Sequence, residues 1–177
     1  MTLPKKDKSR SSGLPFPVIL FDWGDTIMKD DPTMSQPMAL WPRVEAIADA
    51  QETLQLLHVD RTIGLATGAE ISTESDIRTA LRRVNLDDYF DHIFCYTNTG
   101  FHKPSLEFYR FILESLRARA DEVLMVGDAF EKDVQAANRA GIRAVWFNPL
   151  TTEEKTANMY RTIHNLTEIE TLLNLDW

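Results

Sequence analysis

The stretch FDWGDTI at residues 21–27 ends the short apolar run PVILF and carries two aspartates three apart, Asp22 and Asp25. Other polar groups stand in similar places: Thr67 in LATG, Lys103 in HKP, and Asp128 with Asp133 in GDAFEKD. If these segments converge, the carboxylates of Asp22, Asp128 and Asp133 repel one another unless a cation lies among them. Oxygen donors few in number suit Mg²⁺, which keeps several waters and is itself shared with a substrate phosphate. A lysine and a threonine hydroxyl alongside complete an anion site. A cation, anion donors and an accessible carboxylate together point to phosphoryl transfer through an aspartyl-phosphate.

Such convergence needs a scaffold, and the apolar pattern supplies one. Short runs at 17–21, 61–66, 92–96 and 123–126 are bounded by turn residues, and a fifth at 142–147 follows Gly141. Most are continuous rather than alternating, as in strands buried on both faces of a parallel sheet. Helical spacing fills the intervals at 43–58, 72–84, 105–118 and 131–140, with a last helix near 167–174. Ser105 after Pro104 has the residue chemistry of an N-cap, and Gly141 that of a helix stop. Alternating strand and helix predict an α/β fold: a doubly wound, mostly parallel, Rossmann-like sheet with helices on both faces. Ligands in such folds sit beyond the carboxyl ends of the strands, where the five polar residues fall.

The 177-residue chain fits one domain at 16–177, preceded by a basic tail expected to be disordered at 1–15. The formal charge is −8 although the first 13 residues hold four bases and one acid. So acidic a body disfavours nucleic acid as a partner and is compatible with a cation site. A single cysteine, Cys95, and an N-terminus without an apolar core predict a reducing, cytoplasmic location. No apolar run is long enough to span a bilayer, so no membrane partner is expected.

The four ordered motifs FDWGDT, LATG, HKP and GDAFEKD resemble those of the haloacid dehalogenase (HAD) superfamily of hydrolases, phosphatase-like members above all. The resemblance covers about residues 17–175, and VGDAFEKDVQAANRAGIRAVWF is its most specific part. It implies that Asp22 is nucleophile and metal ligand, and that the backbone carbonyl of Gly24 is a second ligand. It implies that Thr67, with Gly68, binds the transferring phosphoryl group and that Lys103 neutralises charge between nucleophile and phosphate. Asp128 would bind Mg²⁺ directly; Asp133 would do so through water or orient Lys103. A dehalogenase role fits less well than a phosphatase one, because the aspartate pair of the fourth motif suits a metal.

One position departs from the resemblance. The residue two after the nucleophile is usually an aspartate serving as general acid and base; here it is Gly24, followed by Asp25. Residues three apart on a strand face opposite ways, so Asp25 replaces that group only if the backbone turns. Loss of acid–base help typically removes about 10²–10⁴ in rate. The expectation is a Mg²⁺-dependent phosphomonoester hydrolase, slow or restricted to good leaving groups. The alternative is a catalytically weak or inactive regulatory protein that keeps the phosphate and metal pocket. Residues 28–42 are too few for a helical cap and read as a short lid or flap, partly apolar through Met28, Met34, Met38, Leu40 and Trp41. An uncapped site would admit a phosphorylated small molecule or macromolecule, or be closed by a second subunit in an oligomer.

Overall fold

A computed structural model describes residues 13–175 and Trp177; the expected tail at 1–15 therefore lies almost wholly outside the described residues. The centre is a six-stranded sheet: β1 (Val18–Phe21), β2 (Thr62–Ala66), β3 (His92–Phe94), β4 (Val123–Gly127), β5 (Arg143–Phe147) and β6 (Tyr160–Ile163). All pairings are parallel and the spatial order is β3-β2-β1-β4-β5-β6. This is the doubly wound α/β sheet that the alternation predicts. The winding reverses between β1 and β4, and a crevice opens at their carboxyl ends for that reason.

Period-two alternation divides the core. Ile19 and Phe21 of β1 face one apolar cluster, and Val18 and Leu20 face the other. The first cluster is covered by α1 (Ala50–Leu57), α2 (Glu74–Arg83) and α6 (Glu168–Leu173). The second is covered by α4 (Leu106–Leu116) and α5 (Ala136–Arg139), the latter entered through a π-helical turn at Phe130–Gln135. A single turn, α3 (Tyr96–Thr99), follows β3. Because both faces are covered, the strand interiors are continuously apolar. Ser105 caps α4 as its position suggests, accepting the Phe108 N–H at 3.2 Å. Among the described residues no helix is long and apolar enough to cross a membrane.

Two expectations need correction. The helix predicted over 43–58 begins only at Ala50. Residues before it run extended beside the loop after β1, with Lys29 N–H to Glu45 O and Ile47 N–H to Ile27 O both at 2.9 Å. Asp49 then turns in the left-handed region at φ 62°, which breaks any helix through that point. Val44 and Ile47 are spaced like one helical face but serve this pairing instead. The second correction is β6, whose residues are mostly half-buried at the sheet edge. An edge strand of that kind makes no continuous apolar run, so the pattern that revealed the other five strands is missing.

Residues 28–42 are tied down. Met28 is fully buried, and Met38 and Trp41 nearly so. The Arg83 guanidinium at the end of α2 donates to the carbonyls of Ala39, Trp41 and Pro42 at 3.2, 2.8 and 3.2 Å. Only Leu40, 65% exposed, faces outward among the large apolar side chains of this segment.

Candidate active site

Asp22, Thr67 and Asp128 are placed by strand ends. The Asp22 N–H continues the β1 ladder by donating to Val126 O at 2.8 Å, which sets the Asp22 side chain at the switch point. Thr67, one residue beyond β2, donates its N–H to Phe94 O at 2.9 Å. Its hydroxyl oxygen accepts the Ala69 N–H at 3.1 Å, so its own proton remains to be donated. Gly68 follows it on the cavity wall.

Lys103 reaches in from the segment before α4. Its ammonium lies 2.7 Å from Asp22 Oδ1, 2.6 Å from Asp133 Oδ1 and 2.7 Å from Ala66 O. Three donors meet three acceptors, and only 3% of the side chain is exposed. Burial alone would favour the neutral amine. The facing carboxylates of Asp22 and Asp133 outweigh it and hold the ammonium charged far above its ordinary range.

Asp128 follows β4. Its Oδ1 accepts the Thr26 hydroxyl at 3.2 Å, its N–H donates to Thr26 Oγ1 at 3.1 Å, and its carbonyl accepts Trp146 Nε1 at 2.8 Å. Asp133 stands on the π turn, its second oxygen taking the Ala129 N–H at 2.9 Å. Gly127 makes that approach possible, since a Cβ there would lie 2.1 Å from Asp133 Oδ2. Carboxylate oxygens of Asp22, Asp128 and Asp133 lie within 4.8 Å of one another.

Burial pushes the Asp22 carboxyl up to about 7; the Lys103 charge opposes it, and the Asp133 and Asp128 charges add to it. Burial likewise lifts Asp128 to about 6, with Asp133 adding repulsion. Carboxylates raised in this way form an all-oxygen donor set that a small divalent cation would relieve, and the residues fit Mg²⁺. Asp22 and Asp128 are the most accessible donors, while both oxygens of Asp133 are already engaged.

The metal prediction carries a pH sign. Between about pH 4 and pH 7 the folded protein holds protons on Asp22 and Asp128 that the unfolded chain has released, so metal-free stability falls as pH rises through that window. Mg²⁺ would compete with those protons and bind better above it. Thermal melts are expected to show stabilisation by Mg²⁺ of about 2.7 kcal/mol at a hundredfold excess over Kd. The gain should be larger near pH 8 than near pH 5, and EDTA should abolish it.

The cavity over this cluster measures about 460 Å³. Met34, Met38 and Trp41 contribute apolar lining to the cavity beside the charged groups. Asp25 is exposed on the rim, at a left-handed φ of 54°, with Oδ1 accepting the Asp30 N–H at 3.0 Å. His102 stacks on Tyr96 at 4.0 Å and meets Glu70 at 3.1 Å outside the floor. Residue-level reasoning missed three participants. Thr26 ties the two aspartate loops together and could have been sought in the T of FDWGDT. Lys132, which looks like an ordinary surface charge, lines the cavity, as does Asp30; neither carries a sequence signal.

A family profile described as haloacid dehalogenase-like hydrolase matches residues 19–147. The chain belongs to that family. Among these hydrolases it is 30% identical over 138 residues to a ribulose-1,5-bisphosphate 5-phosphatase of Halopiger xanaduensis, covering 78% of this chain and 56% of the relative. The chain thus spans about half the length of that curated relative, and about a quarter of a Pyrococcus furiosus glyceraldehyde 3-phosphate phosphatase that is 32% identical over 65 residues, 37% of this chain and 27% of the other. Among solved structures, an uncharacterized protein from Listeria monocytogenes serotype 4b superposes with TM-score 0.76 at 28% identity, covering 88% of this chain and 96% of that one.

Proposed function

We propose that this chain hydrolyses phosphomonoesters with Mg²⁺, through an aspartyl-phosphate on Asp22. The observation that carries the reading is the Lys103 ammonium, bonded to Asp22, Asp133 and Ala66 O beside the three-carboxylate cluster. Asp22 Oδ1 is held by Lys103, which leaves Oδ2 to attack phosphorus. The Thr67 proton and the Lys103 charge meet the equatorial phosphoryl oxygens as negative charge grows there. Mg²⁺, which Asp22, Asp128 and the Gly24 carbonyl would hold with Asp133 behind them, supplies charge neutralisation of the phosphate dianion when bound. Asp133 keeps Lys103 aimed at the nucleophile.

A cavity of about 460 Å³ lies within the range of small-molecule sites. The phosphatase names of the Halopiger and Pyrococcus relatives agree with a small phosphorylated substrate. Gly24 favours a second reading, a metal- and phosphate-binding protein that turns over slowly. The two separate in one assay: phosphate release from p-nitrophenyl phosphate with Mg²⁺ or with EDTA. Mg²⁺-dependent release supports hydrolysis. Binding of Mg²⁺ and phosphate without release supports the second reading.

A further inference from the structure

Hydrolysis of an ordinary phosphate ester needs two proton movements that the groups described so far do not provide. The departing alkoxide must be protonated, and the water that attacks the aspartyl-phosphate must lose a proton. Six carboxylates line the cavity. Asp22 is the nucleophile, Asp128 is bonded to Thr26 in the cation cluster, and Asp133 is held by Lys103 and the Ala129 N–H. Glu70 lies against His102. The choice falls between Asp25 and Asp30.

Asp25 holds the turn, because its Oδ1 accepts the Asp30 N–H at 3.0 Å. Asp30 Oδ1 takes the Asp31 N–H at 2.9 Å, and its Oδ2 points over Gly24. A Cβ placed on Gly24 would lie 3.2 Å from Asp30 Cβ, 3.3 Å from its Cγ and 3.3 Å from its Oδ2. The Asp30 carboxylate therefore crowds the space where a side chain at position 24 would begin. Asp22, Gly24 and Asp30 line one cavity, so that space opens on the same crevice as Asp22. The backbone that delivers Asp30 is fixed: Met28 is fully buried and Lys29 N–H pairs with Glu45 O.

Resting on the phosphatase reading above, we infer that Asp30 is the catalytic residue that moves the proton in both half-reactions. In the first, Asp22 Oδ2 bonds to phosphorus, the phosphorus–ester oxygen bond breaks with its electron pair on oxygen, and the Asp30 carboxylic acid gives that oxygen its proton. The products are an alcohol, the aspartyl-phosphate and an Asp30 carboxylate. In the second, that carboxylate takes a proton from water as the water oxygen bonds to phosphorus. The bond from phosphorus to Asp22 breaks, releasing inorganic phosphate and restoring both carboxyl groups. Glycine at 24 is then the vacancy that lets a residue from the following loop enter, and the site is complete.

The test compares Asp30→Asn with wild type on β-glycerophosphate, whose alkoxide needs a proton, and on p-nitrophenyl phosphate, whose leaving group does not. Turnover of β-glycerophosphate is expected to fall by about 10²–10⁴-fold. With p-nitrophenyl phosphate the variant should release one equivalent of nitrophenolate per site in a burst and then stall, with phosphate retained on Asp22. The exchange variant Gly24→Asp with Asp30→Gly, which removes the crowding between the two positions, should recover at least tenfold of the lost alkyl-phosphate turnover. Equal losses on both substrates without a burst would overturn the assignment, as would a burst in Asp25→Asn and none in Asp30→Asn. Absence of Mg²⁺-dependent release from wild type would instead sink the phosphatase reading itself.

Discussion

Asp22→Asn is expected to lower kcat for phosphate release by at least about 10⁴-fold, the scale on which removal of a covalent nucleophile acts. The amide cannot form the acyl-phosphate, so no covalently bound phosphate should be found on the variant after quenching. Its shape is that of the acid, and its oxygen can still accept from Lys103 at the position of Oδ1. Structure is therefore retained, and the metal-free variant should be more stable than wild type near pH 8. Burial pushes wild-type Asp22 up to about 7, so above that pH the fold carries a charge that its surroundings disfavour. Near pH 5 wild-type Asp22 is largely protonated and the advantage shrinks. Calorimetry with EDTA at the two pH values measures the difference. Full activity in this variant would overturn the covalent mechanism and with it the role of every neighbour.

The parts of the site that were legible in the sequence share one physical property. Asp22, Thr67 and Asp128 each terminate or directly follow a strand whose continuous apolar run announces itself. A parallel sheet then brings those ends together whatever the intervening loops do. Lys103 could be placed because it precedes a helix with a recognisable cap. Asp30 had no such marker. It belongs to a loop with no periodicity, and its importance appears only when its close approach to Gly24 is measured in three dimensions. Thr26 is similar: a hydroxyl four residues beyond the nucleophile gains its meaning from Asp128, 102 positions away. The same limit explains the misread segment before α1, where Val44 and Ile47 satisfy a helical spacing while their backbone pairs with the loop after β1. Local pattern carries the scaffold; the contacts that finish the site are non-local.

Lys103→Met should give the largest loss of stability of any single change at the site. Methionine fills much of the same volume but leaves Asp22, Asp133 and Ala66 O without the donor that lies within 2.7 Å of each. Only 2% of the Asp133 side chain is exposed, so water cannot take over. Removing one partner of a buried ion pair costs about 3–5 kcal/mol, a large fraction of a small domain's total stability. The pH dependence follows from the acids left behind. Without the ammonium the Asp22 carboxyl, already raised by burial, holds its proton to higher pH, so the folded variant binds a proton that the unfolded chain does not. Stability of the variant must then fall as pH rises, and the deficit against wild type should be greatest near pH 8 and least near pH 5. Mg²⁺ should recover part of it, because a second cation in the cluster takes over some of the charge compensation. Activity should not recover with it. In the proposed mechanism the ammonium would also face the transferring phosphoryl group, and loss of one such preorganised charge costs about 10²–10³ in kcat. Denaturant titrations at two pH values, each with Mg²⁺ and with EDTA, separate these effects. Wild-type stability in Lys103→Met at pH 8 in EDTA would show that the three-acceptor nest is not what holds these strand ends together.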